Sequence, residues 1–193
     1  MSLDAEPLVE LVDASGAPAG VLGKLAAHEP PGRRHRAVSV FLVDPGGDVL
    51  IQRRAAGKYH SGGLWSNTCC GHPEPGERPE AAARRRLADE LGLRLGPGEL
   101  DEVGTVDYDI GDPESGLVER EHNHVFVGRV PGPPLPNPAE VDAVATVRLE
   151  VLGGSGTGVP GGPDGTPFTA WFEHVLGVAR PGLLRLAGPR DEA

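Results

Sequence analysis

The sequence predicts an α/β (α+β) fold: a sandwich in which a mixed β-sheet is flanked by helices. Three observations carry this expectation. A β-hairpin pattern occupies 37–54, a well-bounded amphipathic helix occupies 78–93, and strand-like runs surround "GDPESG" before a last helix. A hairpin, a helix, further strands and a helix, in that order, are best satisfied by one sheet covered by helices. With 193 residues the chain is expected to form one domain over 1–193.

The elements follow in order. "LVELVD" (8–13) alternates weakly and runs into the turn-rich "ASGAPAG". "KLAAHEPPGRRH" (24–35) opens with helix formers and stops at Pro30-Pro31, because proline lacks the amide hydrogen and crowds the preceding turn. "AVSVFLVDPGGDVLIQRR" (37–54) sets two β-rich runs around Asp-Pro-Gly-Gly, a hairpin signature. From 55 to 77 turn residues dominate, apart from Leu64-Trp65.

"RPEAAARRRLADELGL" (78–93) is the clearest helix. Pro79 suits a first turn, Ala83, Leu87 and Leu91 form an i, i+4, i+8 stripe, and Gly92 supplies the stop. "ELDEVGTVDYDI" and "LVEREHNHVFVGRV" read as two strands joined at "GDPESG", and 141–151 as one more. Residues 153–167, rich in glycine and proline, are expected to form a flexible surface loop, and 168–180 an amphipathic helix. Residues 181–193 read as an uninformative tail.

Composition narrows the function. The 18 basic and 28 acidic residues give a formal charge of −10, which argues against nucleic-acid and anionic-membrane surfaces. Any anion site must therefore be a local basic cluster, for which Arg53, Arg54 and Lys58 are the candidates. No apolar run approaches the roughly 20 residues of a membrane helix. The acidic "MSLDAEPLVE" lacks the basic and apolar regions of a signal peptide, so a cytoplasmic location is expected. Two adjacent cysteines make neither a disulfide framework nor a four-ligand zinc knuckle, and free thiols are expected.

Gly71, Glu77 and "RRLADELGL" (85–93) stand at the spacings of the Nudix box, which they resemble. The resemblance implies a loop and helix that gather carboxylates around a divalent cation, with magnesium suited to such hard oxygen ligands. Two positions depart from it. Arg86 stands where Nudix hydrolases place glutamate, and Asp89 where they usually do. Hydrolysis is therefore not implied, and Arg86 with Glu90 also reads as an ordinary i, i+4 pair on a solvated helix face.

"LWSNTCCGHP" (64–73), on the shoulder of that box, resembles the W-[ST]-N-x-x-C-x-H-P segment of the type I isopentenyl-diphosphate isomerases. Further matches bring the resemblance to about residues 8–178. "KLAAHEPPGRRH" resembles the family's lysine and two histidines, here Lys24, His28 and His35. "LVEREHN" resembles its acidic strand, with Glu119 and Glu121 on one face. His122 and His124 are unmatched and fall on the other face. "RRAAGKYH" resembles its basic element, with Arg54 and Lys58. Many relatives have an aromatic residue and proline next, whereas this chain has His60-Ser61-Gly62-Gly63, a looser loop whose histidine is expected to be exposed and idle. Tyr108 lies one residue further from the acidic strand than the family spacing, as a one-residue insertion in "GDPESG" would give. Trp171 in "TAWFEHV" resembles the late "PWF" element and reads equally as a core tryptophan.

The resemblance implies a Nudix-like fold and isomerisation of isopentenyl diphosphate to dimethylallyl diphosphate. It implies Cys70, Glu121, Tyr108 and Trp171 as catalytic residues, and Lys24, Arg54, Lys58 and Arg86 as substrate-binding residues. His28, His35, His72, Glu119 and Glu121 would hold one divalent metal: zinc, manganese or magnesium. A magnesium ion would accompany the substrate diphosphate near Glu90 and Cys70. Cys69 reads as packing. The expected partner is a small diphosphate, with no nucleic acid or membrane, for a monomer or weak dimer. Two alternatives stay open: a Nudix pyrophosphohydrolase, which leaves the Cys-Gly-His segment unexplained, and a metal-binding module without catalysis.

Overall fold

A computed structural model describes residues 6–152 and 161–188. Part of the expected flexible loop, 153–160, and the end of the tail, 189–193, lie outside the described residues.

The organising element is β3 (His35–Val43), a strand with eight of its nine residues buried. Its side chains alternate between two cores. Val38, Val40 and Leu42 pack against Ala82, Ala83, Leu87 and Leu91 of helix α2 (Pro79–Leu91). Phe41 and Val43 pack against Val175, Leu176, Ala179 and Leu183 of helix α3 (Phe172–Ala187). Because both faces are covered, β3 carries a continuous apolar run rather than polar alternation.

Among the described residues, all nine strands belong to one sheet. Along one edge β3 runs parallel to β8 (Val118–Arg129), from His35 opposite Glu121 to Val43 opposite Arg129. Its other edge is antiparallel and shared. There β6 (Cys69–Gly71) meets Val38–Val40, β4 (Val49–Arg54) meets Leu42 and Val43, and β1 (Leu8–Val12) meets His35. β2 (Pro18–Gly23) pairs with β1, β7 (Leu100–Gly111) with β8, and β9 (Val141–Val147) with β4. The sheet is mixed and flanked by helices, as the sequence predicts.

Helix α2 follows its sequence signals. Pro79 sits in the first turn, and Gly92 caps the end at φ 65°, its amide donating to the Ala88 and Leu87 carbonyls. Leu87 and Leu91 are wholly buried, each contributing about 1.5–3 kcal/mol. Leu87→Ala would cost about 2–5 kcal/mol.

Three expectations are corrected. The last helix starts at Phe172 rather than 168, because Phe168 bridges to Trp65 and the Thr169 amide donates to the Trp65 carbonyl. It then continues through Pro181 to Ala187, into the expected tail. Pro181 and Gly177 are both exposed, on the solvent side of the helix, and Gly177 adds no side chain to the crowding. The strand expected over 141–151 ends at Val147 and gives way to a turn. The turn-rich 55–77 holds two short strands, β5 (Trp65–Ser66) and β6, formed by pairing with β4 and β3. Helix α1 (Lys24–His28) is a single short piece before the prolines. Among the described residues, no helix is long and apolar enough to cross a membrane.

Candidate active site

At one end of the sheet, β3, β4, β6, β8 and helices α1 and α2 line a cavity of about 430 Å³. His72, Glu119 and Glu121 in its wall belong to a cluster of three imidazoles and two carboxylates. His28 comes from α1, His35 from the start of β3, His72 from just after β6, and Glu119 and Glu121 from one face of β8. One ligand atom from each lies within 4.8 Å of all the others.

The histidines are oriented by the backbone. His28 Nδ1 donates to the Lys24 carbonyl at 2.6 Å, and His35 Nδ1 to the Arg33 carbonyl at 2.7 Å. This fixes the tautomer that turns an Nε2 lone pair into the cluster. His35 Nε2 lies 3.1 Å from His72 Nε2, which lies 3.0 Å from Glu121 Oε1. His28 Nε2 is buried without a hydrogen-bond partner, 3.4 Å from Glu119 Oε2. Converging lone pairs, two carboxylates and an orphaned buried nitrogen fit a divalent cation, and this cluster could bind one. Burial holds His72 well below the ordinary imidazole range, hence neutral and able to ligate. Burial works to raise both carboxylates. It raises Glu119, beside the charge of Glu121, while the neighbouring His35 and His72 imidazoles draw Glu121 well below the usual range.

Glu121 is also held from the far side. Tyr108 of β7 stands opposite it and donates its hydroxyl to Glu121 Oε2. Asn123 Nδ2 donates to the Tyr108 oxygen at 2.8 Å and to Glu121 Oε2 at 3.1 Å. Asn123 is absent from the sequence reading, although it continues the period-two face of Glu119 and Glu121. His122 and His124 face away, bonded to Asp107 and Glu102.

The two cysteines separate by strand alternation. Cys69 is fully buried in the α2-side core, while Cys70 lines the cavity. Burial pushes the Cys70 thiol up to about 11, against the pull of Arg54, whose Nη1 lies 3.7 Å from Sγ. Gly71 is required by close approach, since a Cβ there would lie 3.0 Å from Arg86 Cγ. Trp171 is 4% exposed, belongs to the core and also lines the cavity, with the Arg54 guanidinium 5.3 Å from its ring centre.

Lys24, Arg54, Lys58 and Arg86 bring four cations to the same cavity. Burial and the neighbouring charges of Lys58, Arg86 and Arg54 lower the Lys24 ammonium. Arg53 is a correction: it alternates away from the cavity and pairs with Asp164 at 2.9 Å. The Arg86–Glu90 pair is a correction too. Glu90 is 4% exposed, lines the cavity and accepts from Gln52 Nε2 at 2.8 Å as well as from Arg86. Glu90 stands outside the five-residue cluster.

His60 is neither exposed nor idle in its surroundings. It is 7% exposed, its Nε2 lies 3.1 Å from Glu119 Oε1, and its ring meets Trp171 edge-on. The loop is pinned: the His60 carbonyl accepts from Arg54 Nη2 and the Ser61 amide donates to Asp112. Gly62 packs so closely that a Cβ would lie 2.6 Å from the Ala56 carbonyl oxygen. Glu140, also missed, lines the cavity and binds Lys58. Its "NPAEVD" context signals only a turn.

A Nudix-domain family model matches residues 33–172. An isopentenyl-diphosphate Delta-isomerase of Streptomyces griseus is 53% identical over 182 residues, covering 94% of this chain and 88% of that protein. The chain belongs to the isopentenyl-diphosphate Delta-isomerase family. Members from Streptomyces avermitilis, at 52% over 94% of this chain and 88% of that one, and Nocardia farcinica, at 43% over 93% and 98%, agree. The fold of this isomerase family member is that of Nudix proteins. A protein of Deinococcus radiodurans superposes with TM-score 0.60 at 20% identity, over 74% of this chain and 84% of that one. A MutT protein from Methanosarcina mazei superposes with TM-score 0.58 at 20% identity, over 77% and 95%.

Proposed function

We propose that this cavity is where the chain carries out the isomerisation of isopentenyl diphosphate to dimethylallyl diphosphate that supplies isoprenoid biosynthesis. One observation carries the reading: Cys70 and the Tyr108–Glu121 pair share a cavity with four cations. An unactivated alkene must gain a proton at one carbon and lose one at another, through a tertiary carbocation. That demands two proton-handling groups around a short hydrocarbon with water kept out.

Cys70 and Glu121 suit that demand because they rest in opposite states. Burial keeps the Cys70 thiol protonated near neutrality, while the neighbouring His35 and His72 imidazoles keep Glu121 ionised. Tyr108 can pass a proton to or from Glu121 without leaving an isolated buried charge. Trp171 offers a ring face to the passing cation, worth about 1–2 kcal/mol when desolvated. Lys24, Arg54, Lys58 and Arg86 hold the diphosphate and place the hydrocarbon end against Cys70.

His28, His35, His72, Glu119 and Glu121 would hold a zinc, manganese or magnesium ion, and Glu90 with Cys70 would stand near a magnesium ion on the diphosphate. When bound, these cations neutralise carboxylate and phosphate charge. We also propose a cytoplasmic enzyme, monomeric or weakly dimeric, in keeping with its free thiols.

Incubation with isopentenyl diphosphate and magnesium tests the reading. Acid-labile allylic diphosphate is the expected product. Release of phosphate or pyrophosphate would favour a Nudix hydrolase, and no reaction a metal-binding module.

A further inference from the structure

Four cations for a diphosphate would be expected to stand free of carboxylates, yet Glu140 lies among them in the cavity wall. A single oxygen, Glu140 Oε2, meets both the Lys58 ammonium and, at 3.3 Å, Arg86 Nη2. Lys58 stands on the loop after β4 and Arg86 on α2, so one carboxylate joins cations from two separate elements.

We propose that Glu140 is a positioning residue that sets the spacing of Lys58 and Arg86 for the substrate diphosphate. The inference rests on the anion-cradle reading above and deepens it.

The backbone around Glu140 is fastened to both elements. The Asn137 amide donates to the Glu90 carbonyl at 2.8 Å, and Asn137 Nδ2 to the Asp89 carbonyl at 3.4 Å, which ties the segment to the end of α2. The Ala55 amide donates to the Glu140 carbonyl at 2.9 Å, and the Ala56 amide to Asp142 Oδ2 at 3.1 Å, which ties it to the loop carrying Lys58. The carboxylate is therefore delivered by a fixed turn. Lys58, on a flexible four-carbon stem, has no such constraint of its own.

Charge explains why a carboxylate serves here. Two cations held side by side repel, and an interposed anion removes that repulsion before substrate arrives. Donor counting shows that Glu140 leaves room for the substrate. An ammonium has three donors and a guanidinium five, and Glu140 engages one from each, with Glu90 taking a further Arg86 contact. Glu140 thus leaves further donors on both cations outside its own contacts. Glu140 is also distinct from the proton-handling groups, since its carboxylate bonds to Lys58 and Arg86 and not to Cys70 or Glu121.

The test is steady-state kinetics on isopentenyl diphosphate, with inorganic pyrophosphate as a competing anion, for wild type, Glu140→Gln and Glu140→Ala. Glu140→Ala is expected to raise both KM and the pyrophosphate inhibition constant about tenfold while kcat stays within about twofold. Glu140→Gln keeps an acceptor oxygen without the charge and is expected to fall between, which guards against a folding defect in the alanine variant. Wild-type turnover with an unchanged or lowered KM in both variants would overturn the inference alone. A wild type that neither turns over isopentenyl diphosphate nor is inhibited by pyrophosphate would overturn it together with the cradle reading.

Discussion

Tyr108 and Glu121 face each other across the β7–β8 ladder, and the tyrosine hydroxyl donates to Glu121 Oε2. Both are buried, and Asn123 bonds to each. A buried hydrogen bond to a charged group is worth about 1.5–3 kcal/mol. Tyr108→Phe is therefore expected to lower kcat about 10- to 100-fold while the fold persists, since the ring still fills its place. Kinetics beside circular dichroism would check this, and unchanged kcat would reduce Tyr108 to packing.

The imidazole cluster makes a separate prediction. His72→Asn removes one of three converging nitrogens and should leave purified protein short of metal, as read by elemental analysis. Because a bound ion stabilises only the folded state, a chelator should lower the melting temperature of wild type and scarcely move that of His72→Asn. Stoichiometric metal in the variant would show that the ligand set is drawn wrongly.

Adjacent cysteines should behave as unrelated residues. Cys69→Ala lies in the α2-side core and is expected to cost about 1–2 kcal/mol in urea unfolding, with kcat nearly unchanged. Alkylation of metal-free protein should modify Cys70 alone, at a rate that climbs between pH 8 and the thiol pKa of about 11. A Cys69 adduct on folded protein would contradict the alternation of β6.

Acid stability tests the entry to helix α2. Hydrogen bonds from Arg85, opposed by slight burial, hold the Glu77 carboxyl below its ordinary value. A depressed folded pKa stabilises above the unfolded value of about 4.3 and ceases to do so as pH falls through the folded value. Wild type should exceed Glu77→Gln in stability at pH 7, and the two should converge in acid. Salt should narrow the gap, because the pair is still partly open to solvent. A gap that widens on acidification would reverse the assigned sign.

What could be read from sequence was whatever is local or sits in a fixed motif. Leu87 and Leu91 reveal their helix by spacing, and Glu119 with Glu121 reveal a shared face by strand period. Cys70, His72, His28 and His35 stood out through the motifs they match; the fold brings Cys70 and His72 to one cavity with the four cations and clusters His28 and His35 with His72. What sequence could not show depends on distant partners. β5 and β6 exist because β4 and β3 offer free edges. His60 is buried because Arg54 and Asp112 fasten its loop. Glu140 reaches Lys58 and Arg86 only once the turn before β9 is stitched to two other elements. Asn123 was within reach of the strand period, had the face been followed one step further.

The most direct test of the two-group proton transfer is the isomerase activity of Cys70→Ala, measured on protein whose metal content and melting temperature are determined in the same preparation. The proposed mechanism uses the thiol in proton transfer, while its partly buried side chain only packs against the edge of the core. Loss of detectable isomerisation with fold and metal retained is the expected result. Turnover near that of the wild type would contradict the account.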